Sequence, residues 1–97
     1  MKITFFQAQN IAAEELRRVI ADSVRLARYD FDELFLRREE PLFWTFGMAS
    51  PQLMDAGFAP GAIFVSVDRL DGRVWSDDEV TRYYEQPVVA TKQLQAA

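Results

Sequence analysis

The chain has 97 residues, 49% of them apolar, a formal net charge of −4, and neither cysteine nor histidine. This length buries one hydrophobic core, so a single domain is expected, with an ordered core over about residues 4–86 and a tail over 87–97. The missing residue types exclude disulfides, zinc or haem held by Cys or His, and Ser-His and Cys-His nucleophiles.

No window approaches the roughly 18 consecutive apolar residues that a membrane span needs, and the N-terminus lacks a signal peptide's apolar core, so a cytoplasmic protein is expected. The acidic balance argues against direct nucleic-acid binding, which needs Lys and Arg to displace phosphate counterions. The two lysines, Lys2 and Lys92, lie near the ends.

Thr4 and Gln7 fit a capping box, which starts a helix at Phe5; a short strand over residues 2–6 is the competing reading. Ala8, Ile11, Ala12, Leu16, Val19, Ile20, Ser23, Val24 and Ala27 recur at helical spacing, which carries the helix to about Arg28. Its outer face is charged, with Glu14 and Arg18 at the favourable i, i+4 spacing.

Phe31 to Arg38 reads as the first strand, Glu39-Glu40-Pro41 as a turn, and Leu42 to Met48 as the second strand. Alternation turns Leu42, Trp44, Phe46 and Met48 toward the long helix and Phe43, Thr45 and Gly47 away from it. Ser50-Pro51 opens a short helix that Gly57 closes. Ile63, Val65 and Val67 then alternate with Phe64 and Ser66 in a third strand.

Asp71-Gly72 turns the chain into a hairpin whose return begins at Arg73-Val74-Trp75. Ser76 to Glu79 is a second capping box; Val80, Tyr83 and Tyr84 give its helix an apolar side, and Pro87 ends it. Val88-Val89 is a candidate edge strand. The fold expected is α+β: about four antiparallel strands, a long N-terminal helix on one face, and a short C-terminal helix. The other face, with Phe43 and Phe64, is expected to be partly open.

Candidate chemistry is sparse. The four glycines are scattered, so no loop cradles phosphate, and no cofactor is expected. Asp68 to Gly72 carries spaced aspartates as a calcium loop does, but lacks the third ligand position and the bidentate Glu, so no metal is assigned. The carboxylate clusters sit in turns and at helix starts, where acids are favoured locally; no catalytic residue is assigned. A small enzyme working through carboxylates and Tyr83 or Tyr84 is the weaker alternative. Asp68 is expected to accept hydrogen bonds from its own turn, whereas Arg69 and Leu70 project from the tip with no structural task.

The polar-capped N-terminal helix and the Phe43-Trp44-Thr45-Phe46 run are followed by Ala59-Pro60-Gly61, the hairpin from Val67 to Val74, and Tyr83-Tyr84-Glu85. In this order the chain, from Thr4 to Glu85, resembles the small immunity-protein family called YrhB or immunity protein 35. The resemblance implies a non-enzymatic protein that binds and neutralises a toxin or effector, with no catalytic residues. An alternative is a phage or mobile-element inhibitor of a bacterial defence complex, of the acidic, DNA-mimicking anti-CRISPR type. The partner, expected to present a basic surface, is placed on Asp68, Arg69, Leu70 and Asp71 of the tip with Asp77, Asp78 and Glu79 of the adjacent cap. A homodimer through an open sheet edge is a further alternative.

Overall fold

Thr4 starts the first helix as its sequence predicts. Its hydroxyl accepts the Gln7 N–H at 3.0 Å, and the Gln7 side chain accepts the Thr4 N–H at 2.8 Å. The computed structural model describes residues 2–85, so the tail and the candidate strand at Val88-Val89 lie outside the described residues. Helix α1 spans Phe5–Asp22 and buries Ala8, Ala12 and Leu16, which recur every four residues along one face.

The helix ends at Asp22 rather than near Arg28. Ser23 adopts an extended backbone, and its hydroxyl accepts the Leu26 N–H at 3.1 Å, opening a short 3₁₀ turn over Leu26–Arg28. A serine that bonds the backbone ahead of it competes with helix continuation. Val24, expected on the buried face, is 88% exposed. Arg18 pairs with Glu15 and Asp22, not with Glu14.

Four antiparallel strands follow in sheet order: β1 (Phe35–Glu39), β2 (Phe43–Ala49), β3 (Ala62–Asp68) and β4 (Val74–Trp75). Between β2 and β3, helix α2 (Pro51–Asp55) is capped by the Ser50 hydroxyl, which accepts the Leu53 N–H at 3.2 Å. A third helix, α3, covers residues 77–85.

Strand β1 begins four residues later than the sequence predicts. Phe35 stands opposite Gly47 and β2 ends at Ala49, so residues 31 and 32 lie beyond the end of the neighbouring strand, and Glu33 and Leu34 leave the ladder opposite its last two residues. Single bonds hold that segment instead: the Asp32 N–H to the Ala49 carbonyl at 2.7 Å and the Asp30 N–H to Gln52 at 2.8 Å. Phe31 and Leu34 still pack against the core.

One face of the sheet presents Trp44, Phe46 and Met48 with Val65 and Val67 to α1, where they join Ala8, Ala12 and Leu16. Ile20 packs at the margin of this core and Val19 is half-buried. The fully buried alanines let the helix lie close to the sheet. Leu42 departs from this scheme: it sits in the β1–β2 turn, just before β2 begins, and is 52% exposed, while its carbonyl accepts the Arg69 N–H at 3.0 Å.

The opposite face is more closed than expected. Helix α3 lies over it, and Phe43 is fully buried with ring centres of Trp75 and Tyr83 at 4.5 and 4.9 Å. Tyr83 and Tyr84 both donate to the Glu40 carboxylate, at 3.4 and 3.3 Å, which fixes the end of α3 over the β1–β2 turn. Phe64 is only half-buried and meets Phe35 edge-on across Gly47. A Cβ at Gly47 would stand 2.8 Å from both rings, so this crossing requires glycine.

Leu16→Ala is expected to cost about 2–5 kcal/mol, as for other buried leucines, whereas Val24→Ala stays within about 0.5 kcal/mol. Urea denaturation midpoints check this; equal values for the two variants would show that the buried face of α1 is misassigned.

Candidate partner surface

Two turns meet at one end of the sheet: the β1–β2 turn and the β3–β4 hairpin. The hairpin is closed by the Asp68 N–H to the Arg73 carbonyl at 2.8 Å and the Gly72 N–H to the Asp68 carbonyl at 3.0 Å. Two aspartates brace it from within. Asp68 accepts the Leu70 N–H at 2.8 Å and the Trp75 indole N–H at 2.9 Å; Asp71 accepts the Arg73 N–H at 2.9 Å. Gly72 has a φ of 75°, and a Cβ there would meet Ile11 at 2.7 Å, so the turn is seated directly on α1.

Asp68 therefore does what its sequence position suggests. Burial pushes its carboxyl up, but the donors from Trp75, Leu70 and Asp71 and the charge of Arg73 outweigh burial and hold it below the ordinary range.

Arg69 does not project from the tip, which corrects the sequence expectation. Its guanidinium lies 4.3 Å from the centre of the Trp44 ring and bonds Glu39 at 3.0 Å, while its carbonyl accepts the Ile3 N–H at 3.1 Å. Trp44 stands opposite Val67, so the alternation that turns Val67 to the α1 face also turns Arg69 toward Trp44. That signal was present in the sequence once Trp44 and Val67 are paired. Stacking has a cost: Arg69 Nε and Trp44 Nε1, both donors, are buried without a partner among the described residues.

Leu70 does project, 57% exposed. Leu42 stands on the neighbouring turn, where its carbonyl accepts the Arg69 N–H. The end of the sheet thus carries two exposed leucines on braced loops. Sequence reasoning missed Leu42 because strict alternation placed it in the core.

The acidic cap divides. Glu79 accepts the Ser76 N–H at 2.9 Å and the Ser76 hydroxyl accepts the Glu79 N–H at 3.2 Å, which completes the expected capping box. Arg73 also donates to both Glu79 oxygens, at 2.9 and 2.8 Å, and ties the hairpin to the first turn of α3. These contacts, Arg73 first and the Ser76 N–H second, lower the Glu79 carboxyl from 4.5 to about 2. Asp77 and Asp78 are exposed. Asp77 lines a groove of about 360 Å³ on the α3 face beside Arg37, Arg38 and Phe64, away from the tip.

Of the seven residues singled out, Asp68, Arg69, Asp71 and Glu79 are thus engaged within the fold, and Leu70, Asp77 and Asp78 face outward. A second hollow, of about 240 Å³, is lined by Leu42, Arg73, Trp75, Glu79, Arg82 and Tyr83. At its inner side, burial and then the neighbouring Glu40 carboxylate push the Tyr83 phenol up.

A lowered carboxyl stabilises the fold above its unfolded value and loses that contribution as pH falls through its folded value. For Glu79 the window runs from 4.5 down to about 2. Glu79→Gln is expected to be less stable than the parent at neutral pH, with the difference shrinking across this window; urea titrations at several pH values check it, and a constant difference would show that the Arg73 pair contributes nothing. Comparison with protein families, with curated proteins and with solved structures found no match to this chain.

Proposed function

We propose that this chain is a non-enzymatic protein-binding inhibitor of the immunity type, acting in the cytoplasm on a toxin or effector protein. The observation that carries the reading is the pair Leu42 and Leu70, 52% and 57% exposed on adjacent turns. Large apolar side chains held on rigid loops and surrounded by charge suit the anchors of a protein interface, because little side-chain or loop entropy remains to be lost on docking. Asp68, Asp71, Arg69 and Ile3 supply that rigidity through backbone and side-chain bonds.

The outward carboxylates of Asp77 and Asp78 favour encounter with a basic partner more than they tighten the complex. Imitation of a DNA backbone is less favoured, since it needs acids presented in a row, and Asp68 and Glu79 are bonded inside the fold. The resemblance to small immunity proteins contributes the kind of partner. The exposed leucines support the end of the molecule carrying the two turns as the surface that meets it.

The test begins with affinity capture from a lysate of the source cells and identification of the bound protein by mass spectrometry. With that protein in hand, Leu70→Ala and Leu42→Ala are each expected to raise the dissociation rate about tenfold, the equivalent of about 1.4 kcal/mol. An Asp77→Lys/Asp78→Lys variant is expected to slow association and flatten its salt dependence. Unchanged rates in all three would place the interface elsewhere.

A further inference from the structure

We propose that the outer edge of β1 accepts an extended, acidic segment of another protein as an added strand, with Arg37 and Arg38 engaging its carboxylates. The site lies along the strand edge, and does not depend on the reading of the two leucines.

Among the described residues, strand β1 is the terminal strand of the sheet, all five of its residues are exposed, and its outer side has no backbone partner. Such an edge offers unpaired N–H and C=O groups to an incoming chain. Phe35 and Leu36, 39% and 40% exposed, follow one another and so point to opposite faces. A neighbouring strand would cover both, which accounts for two large apolar residues left half-open at an edge.

The charge at this edge selects the occupant. The register slips between Leu36 and Arg38, so that Leu36 faces Phe46 and Arg38 faces Thr45 with Arg37 inserted. Both arginines consequently lie over the α3 face, Arg37 at 4.3 Å from the Phe64 ring centre and Arg38 at 5.1 Å from that of Tyr84. A guanidinium stacked on an aromatic ring keeps in-plane N–H donors for a carboxylate. Neither arginine enters an ion pair among the described residues, in a chain whose net charge is −4. Asp77 lines the far side of the adjoining groove and confines an acidic side chain to the β1 side.

A second copy of this chain fits poorly. Two-fold antiparallel pairing centred on β1 sets Arg37 or Arg38 against an arginine of its mate, and like charges directly opposite destabilise a sheet. The acidic partner strand places opposite charge at the same positions.

The test uses a short synthetic peptide, capped at both ends, that alternates Glu with Val and Thr. Two controls replace Glu by Lys or N-methylate alternate amides. Amide chemical shifts of the full chain map the site, and fluorescence anisotropy measures affinity. The Glu peptide is expected to shift Phe35 to Glu39 and to bind at least about tenfold more tightly than either control. Arg37→Gln/Arg38→Gln is expected to remove that preference while still unfolding in one cooperative transition and keeping the parent's amide shifts away from β1. No binding, equal binding of the Lys peptide, retained binding after N-methylation, or shifts confined to Leu42 and Leu70 would overturn the proposal. So would concentration-dependent shifts at β1 without peptide, since they would assign the edge to a second copy.

Discussion

The pairing of β2 with β3 is the constraint on which the rest of the molecule depends. Seven residue pairs run without a slip from Phe43 opposite Asp68 to Ala49 opposite Ala62. Because side chains alternate across a sheet, that register decides two faces at once. Trp44, Phe46, Val65 and Val67 meet α1; Phe43, Thr45 and Ser66 meet the α3 side, with the Thr45 and Ser66 hydroxyls bonded at 2.7 Å. A one-residue shift of either strand would turn Phe43 of β2 or Asp68 of β3 toward the helix and that strand's core residues away from it.

The same register organises the charges. Asp68 ends β3 on the α3 face and reaches the Trp75 indole; Arg69, one residue on, falls on the α1 face and reaches Trp44 and Glu39. Each of these charged groups holds an aromatic residue of the opposite strand or its own hairpin. The acidity of the chain is therefore not a uniform surface property. Some carboxylates, such as Asp68 and Glu79, are structural ties, whereas others, such as Asp77 and Asp78, face solvent.

Much of this was legible in the sequence, because capping and alternation are local. Thr4 with Gln7, Ser50 before Pro51, and Ser76 with Glu79 each mark a helix start that the structure contains. The errors fall where a distant backbone intervenes. Leu42 falls in the β1–β2 turn, outside the core, and residues 31–34 stay out of the ladder apart from the single bond of Asp32 to Ala49. Phe43 is buried because α3 folds back across the sheet, a placement that its own apolar spacing does not specify. For the candidate site, Leu70 and the bracing role of Asp68 could be read from turn chemistry. The Arg73–Glu79 tie could not, since it exists only after the hairpin closes.

That tie also bears on the order in which the molecule opens. The nine described residues of helix α3 are too few to be stable alone, and they are anchored by Glu79 in the first turn and by Tyr83 and Tyr84 further along. When it detaches, Phe43 and the β4 side of the hairpin lose their cover together, while α1 and the opposite face keep theirs. Amide exchange should therefore proceed in two cooperative units divided by the plane of the sheet, with the α3 unit opening at lower free energy than α1 and the β2–β3 pair.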